Sequence, residues 1–220
     1  MKFDAIIFDF DGVLLESEAA GNRQIADYLS SIGHPTTPEQ SMANFMGLSG
    51  TAFLGAVEQW IGRPLPDSFH EARRAEDRRV LDEGLPEVAG AIRFLLDLPA
   101  DLPRAIASSS STTWITRHLD HLGVRPIFGD KIFSGHEHVE RGKPAPDIYL
   151  HAARALGADI TRCVILEDSQ VGVTGAVASG AHVIGMCVAS HCAPDHAGRL
   201  RALGVHDIAA SFDDVRKLIF

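Results

Sequence analysis

Apolar side chains gather first over residues 3–8, a short run that ends in Asp9-Phe10-Asp11-Gly12. Closed by acidic residues and a glycine, it predicts a buried strand feeding directly into a turn. Similar short runs recur at 105–107, 163–166 and 182–186. Between them, residues 112–122, 147–156 and 172–178 have helical character, so strand and helix alternate. That alternation predicts an α/β fold: a doubly wound, mostly parallel, Rossmann-like sheet covered on both faces.

One stretch departs from the alternation. Over residues 16–83 the apolar positions fall at helical spacing (Ile25, Leu29, Ile32, then Phe53, Val57, Trp60, Ile61), with Pro35, Pro38, Pro64 and Pro66 as punctuation and no strand-like run. This predicts a small helical domain, 16–83, inserted into a core domain made of 1–15 and 84–220. Residues 71–83 mix Arg73, Arg74, Arg78 and Arg79 with acidic residues, which reads as a solvated helix face with i,i+4 pairs. There are no internal repeats and no low-complexity tracts.

A chain of 220 residues, 45% of them hydrophobic, can bury a sizeable core and still carry a second domain. The formal net charge of −9 argues against nucleic acid as a partner, since no basic stripe is available to neutralise phosphate backbone. The start of the sequence lacks the build of a signal peptide, and no apolar stretch reaches membrane-spanning length. The expectation is a cytoplasmic monomer acting on a small molecule, away from membranes. Cys163, Cys187 and Cys192 are an odd number without a metal-finger pattern, which fits reduced thiols.

Candidate chemistry lies at the ends of the predicted strands, where open α/β sheets place their ligands. Asp9 and Asp11 flank Phe10 ahead of Gly12, whose turn lets the two carboxylates take different directions. A calcium loop is excluded, because its glycine belongs at the sixth position and Gly12 is the fourth. A bare Asp-x-Asp metal clamp and an ordinary pair of loop aspartates both remain open. After the second strand, Ser108-Ser109-Ser110 precedes a helix and offers hydroxyls and N–H groups to an anion, although such clusters also serve as N-caps. Gly142-Lys143-Pro144-Ala145-Pro146-Asp147 holds a lysine between backbone-fixing residues, which favours an inward-pointing ammonium. The run at 163–166 ends in Glu167-Asp168-Ser169, hard oxygen ligands of the kind that suit a magnesium ion.

Taken together, and with Gly172 and Gly180 following, these four motifs resemble the haloacid dehalogenase superfamily over nearly the whole chain. The helical insert resembles the small cap of its β-phosphoglucomutase-like phosphatases. The resemblance implies a magnesium-dependent phosphatase: Asp9 as nucleophile forming an aspartyl phosphate, Asp11 as acid and base, and Lys143, Ser108 and Ser109 holding the phosphate oxygens. It implies Asp9, Asp11 (through its carbonyl) and Asp168 as metal ligands, with Glu167 nearby or bound through water. Asp11 argues against dehalogenation, which needs no proton donor at that place. A sugar phosphomutase is the main alternative, but the positions where such mutases carry a histidine and a lysine-arginine pair hold Gly21, Met46 and Gly50 here. A non-catalytic phospho-receiver domain is the distant alternative. The uncharged loop containing Met46, Gly47 and Ser49 is the expected specificity element, and a sugar or polyol phosphate the expected substrate. Glu16 stands where many relatives have Asp, and its effect is not predicted.

Two further signals are set aside as structural or surface features: His136-Glu137-His138, in the loop ahead of Lys143, where alternate residues on a turn are more often solvated than ligating, and His191-Cys192 near Cys187, which lacks four ligands at a recognised spacing. Trp60 and Trp114 are read as core residues.

Overall fold

The computed structural model describes residues 2–46, 48 and 50–220. In chain order the elements are β1 (Ala5–Phe8), α1 (Ser17–Ser31), α2 (Pro38–Phe45), α3 (Gly50–Ile61), α4 (Asp67–Glu83), α5 (Ala91–Asp97), β2 (Arg104–Ser108), α6 (Thr112–His121), β3 (Ile132–Ser134), α7 (Asp147–Ala155), β4 (Cys163–Glu167), α8 (Gln170–Ala178), β5 (His182–Met186), α9 (His196–Ala202), β6 (Asp207–Ala209) and α10 (Phe212–Ile219). They form two compact units, Ser17–Gly84 and the remainder, in which the segment ending at Glu16 joins Leu85–Phe220.

In the larger unit all strands are parallel and lie in the order β3-β2-β1-β4-β5-β6. Alternate residues along each strand serve opposite faces. Ile6, Phe8, Ile106, Val164, Leu166 and Ile184 join one apolar cluster with Phe94 of α5, Ile115 of α6 and Val215 of α10. Ala5, Ile7, Ala105, Ala107, Ile165 and Val183 join another with Ile148 and Tyr149 of α7 and Ala176 of α8. The sheet is therefore doubly wound. Its chain path reverses between β1 and β4, so the crevice beyond their carboxyl ends is the ligand position this architecture provides. Two strands, β3 and β6, are absent from the sequence reading because each is three residues long and pairs along one side only, too little to show a period.

The smaller unit contains α1 to α4 around Ile25, Leu29, Phe45, Val57 and Ile61, with Trp60 packed against them. Thr37 and Gln40 form a capping box and Pro38 occupies the first turn of α2, so proline starts that helix rather than breaking it. On α4, Arg79 pairs with Glu76 at 2.7 Å and with Glu83. Among the described residues no helix is long and apolar enough to cross a membrane. All three cysteines are free thiols.

Candidate active site

The backbone N–H of Asp9 donates to the Leu166 carbonyl at 2.9 Å, which ties the end of β1 to β4. This places Asp9 beside the two residues that close β4, Glu167 and Asp168. Carboxylate oxygens of Asp9, Glu167 and Asp168 lie within 4.8 Å of one another, and all three residues are buried. Gly12 turns the chain away with φ +78°, and a side chain there would collide with the Asp168 carboxylate and the His191 ring. Its N–H donates back to the Leu15 carbonyl at 2.8 Å.

Lys143 enters the cluster from the loop before α7. Its Nζ donates to Asp9 Oδ1 at 2.6 Å and to Glu167 Oε1 at 2.8 Å, and its side chain is only 4% exposed. The ammonium also lies 5.1 Å from the centre of the Tyr149 ring. Glu167 is held on all sides: Oε1 accepts from the Tyr149 hydroxyl at 3.1 Å, and Oε2 accepts from the Ser169 N–H at 2.7 Å. The first turn of α8 can pass over this carboxylate only because residue 172 is glycine, since a Cβ there would fall inside it.

Three carboxylates therefore face one ammonium. Burial, followed by the charge of Glu167, pushes the Asp9 carboxyl well above the ordinary carboxylate value, against the pull of Lys143. Desolvation opposes the charge on Lys143, but Asp9 and Glu167 outweigh it and hold the ammonium well above the usual lysine value. An excess of buried negative charge built from hard oxygens is the donor set of a magnesium-type cation, so these residues fit such an ion.

Asp11 stands outside that cluster. Its Oδ2 accepts from the Ser110 hydroxyl at 2.6 Å and its Oδ1 from the Trp114 indole N–H at 3.1 Å. The two carboxylates of Asp9-Phe10-Asp11 thus have separate environments, one ion-paired and buried, the other hydrogen-bonded and half-buried. Ser108 is buried at the end of β2, where its Oγ accepts from the Ser110 N–H at 3.0 Å. Ser109 is exposed in the same turn, and Ser111 caps α6.

The chain matches the family model of haloacid dehalogenase-like hydrolases over residues 3–180. It belongs to that family. Among named relatives, 6-phosphogluconate phosphatase of Escherichia coli K12 is 28% identical over 88% of this chain and 86% of its own length. Hexitol phosphatase A of the same organism is 32% identical over 84% and 83%. A crystal structure of a family hydrolase from Deinococcus radiodurans, with bound phosphate and sodium, superposes with a TM-score of 0.87 at 32% identity, covering 99% of this chain and 95% of that one.

For a haloacid dehalogenase-like hydrolase, several contacts of this site were not visible in the sequence. Trp114 packs against the main core, but its indole N–H is spent on Asp11, a contact across 103 residues that no local pattern announces. His191, set aside as structural or surface, is buried, with Nε2 3.0 Å from Asp168 Oδ2. Glu16 accepts from the N–H and hydroxyl of Ser190 at 2.9 and 2.7 Å, which ties the end of the β1 turn to the loop after β5. His136 and His138 are exposed. Met46 follows the last turn of α2, while Gly47 and Ser49 lie outside the described residues.

Proposed function

We propose that this hydrolase cleaves phosphate monoesters of small metabolites, sugar or polyol phosphates in particular, through a phosphoryl group carried on Asp9. The observation that carries the reading is the split between the two aspartates. Asp9 is buried in an ion-paired carboxylate cluster at the topological switch point, while Asp11, two residues on, is held apart by Ser110 and Trp114. The names of the two Escherichia coli relatives support the substrate class, since both act on phosphorylated sugar derivatives by those names.

In this scheme a carboxylate oxygen of Asp9 attacks phosphorus and the ester oxygen departs, taking a proton from Asp11. Water then attacks the aspartyl phosphate while Asp11 takes up one of its protons, so Asp9 and inorganic phosphate are both released. Lys143, already on Asp9, and Ser108 with the N–H of Ser109 would bind the phosphoryl oxygens. Asp9 and Asp168, with the Asp11 carbonyl, would hold a magnesium ion; Glu167, saturated by Lys143, Tyr149 and Ser169, would fix the lysine and reach the ion through water. When bound, such an ion offsets the repulsion between an anionic nucleophile and an anionic ester.

The test is phosphate release from a panel of sugar, polyol, nucleotide and protein phosphates, with p-nitrophenyl phosphate as the generic substrate. Preference for sugar or polyol phosphates is expected. A clear preference for nucleotides or phosphoproteins overturns the substrate class, and no release from any of them in the presence of magnesium overturns the reaction.

A further inference from the structure

Beside Asp168 lies a second group of ligand-type side chains that the phosphatase chemistry leaves unused. His191 and Cys192 occupy the loop after β5, and His196 opens α9. One ring nitrogen from each imidazole and the Cys192 Sγ lie within 4.8 Å of one another. His191 Nε2 and Cys192 Sγ are 3.8 Å apart. Nitrogen and sulfur donors around a single tetrahedral zinc ion stand roughly 3.3 to 3.8 Å from one another, so side-chain adjustments of about 1 Å gather the trio onto one ion.

Burial supports the assignment. His191 is 7% and His196 8% exposed, and among the described residues Nε2 of His196 is buried without a hydrogen-bond partner. Imidazole nitrogens shut away from water are normally satisfied, and a cation that accepts their lone pairs is one way to do it. A fourth oxygen donor is at hand, because Asp168 Oδ2 is 3.0 Å from His191 Nε2. The two neighbouring clusters also differ in softness: Asp9, Glu167 and Asp168 offer only oxygen, whereas this one offers nitrogen and sulfur.

We propose that His191, Cys192 and His196 form a thiophilic metal site that takes a zinc-class divalent cation, with Asp168 shared between it and the catalytic cluster. Binding displaces the Cys192 thiol proton to solvent and changes no oxidation state. Filling the site inhibits hydrolysis by drawing the Asp168 carboxylate away from Asp9. Metal capture stands apart from the phosphatase reading; only the inhibition rests on it.

Cobalt(II) is the probe, added to the full chain in excess magnesium, because thiolate ligation gives cobalt a near-ultraviolet charge-transfer band. The expected result is a band that saturates at one cobalt per chain and is bleached by zinc. Cys192→Ser abolishes it, His196→Gln keeps it but weakens cobalt binding by at least about tenfold, and Cys187→Ser changes nothing. A folded wild-type chain with no band, or a band that survives Cys192→Ser, overturns the site. Should Cys192→Ser not fold, His196→Gln decides alone, and unaltered cobalt affinity in that variant overturns the site. In a parallel assay with p-nitrophenyl phosphate at fixed magnesium, the zinc concentration giving half inhibition rises at least about tenfold in His196→Gln. An unshifted value there, with the cobalt results intact, overturns the coupling through Asp168 and leaves the phosphatase reading standing.

Discussion

In the helical unit two buried polar side chains are neutral and linked: the Ser41 hydroxyl donates to Asn22 Oδ1 at 2.9 Å, and Asn22 Nδ2 donates to the Glu18 carbonyl at 2.9 Å. In the sheet unit one buried polar cluster is built of ionisable groups: Asp9, Glu167 and Asp168 oppose each other, with Lys143 as the ammonium bonded to two of them. The first arrangement lowers the energy of the fold. The second stores unfavourable electrostatics at a strand end, which a fold retains when those charges perform chemistry. Burial of polarity by itself therefore says little; the charge it carries tells the two clusters apart.

The largest effect that could break this contrast comes from Asp9, the proposed nucleophile. Asp9→Asn should lower phosphate release by on the order of a thousandfold or more while circular dichroism stays unchanged. Near-normal turnover in that variant would remove Asp9 from the chemistry. Next, Lys143→Met leaves two buried carboxylates without their cation and should cost about 3 kcal/mol in denaturant unfolding of the metal-free chain. A loss near zero would mean that the cluster is not charged as described.

Magnesium should then restore what the cluster lacks. At roughly a hundred times its dissociation constant the ion adds about 2.7 kcal/mol, read as a rise in Tm that Asp9→Asn diminishes. Because burial raises the Asp9 carboxyl, the metal-free native state binds more protons there than the unfolded chain does, so stability falls as pH climbs above the ordinary value of 3.8. The ion displaces that proton, so the magnesium-induced rise in Tm should grow as pH climbs above the ordinary carboxylate value. A rise independent of pH would contradict a raised Asp9.

Smaller effects sharpen the contrast. Trp114→Phe removes the indole N–H from Asp11 and should reduce kcat by about tenfold at unchanged KM, since a hydrogen bond to a charged group contributes about 1.5 kcal/mol or more. In the helical unit, Ser41→Ala strands Asn22 Oδ1 and should cost about 1 kcal/mol of stability with phosphate release per folded molecule unaltered. If Ser41→Ala instead abolished hydrolysis, the helical pair would have to be moved to the functional side of the comparison.

Much of the sheet and the outline of the candidate site could be read from the sequence because both depend on local signals. Asp9, Ser108, Lys143 and Asp168 each follow a short apolar run or sit among backbone-fixing residues, and strand ends are where α/β sheets expose side chains. What escaped depends on tertiary distance. Trp114 has the same helical spacing whether its indole N–H meets Asp11 or water, and His191 looks like any loop histidine until β5 carries it against Asp168. The strands β3 and β6 escaped for a different reason, being edges three residues long whose pairing rests on a neighbour rather than on their own pattern.

The strand order has a kinetic meaning as well. Asp9 and Lys143 are 134 residues apart, and β1 pairs with β4 in the register Ala5↔Cys163. Parallel pairing between such distant segments is the slow kind of assembly, whereas α1 and α2, which pack together in the helical unit, are neighbours in sequence. Until β4 docks, Asp9 is a lone carboxylate at a strand end, with neither its ammonium nor its acidic neighbours. A refolding chain should regain helicity before it regains hydrolysis, so the enzyme is silent for as long as its sheet is incomplete.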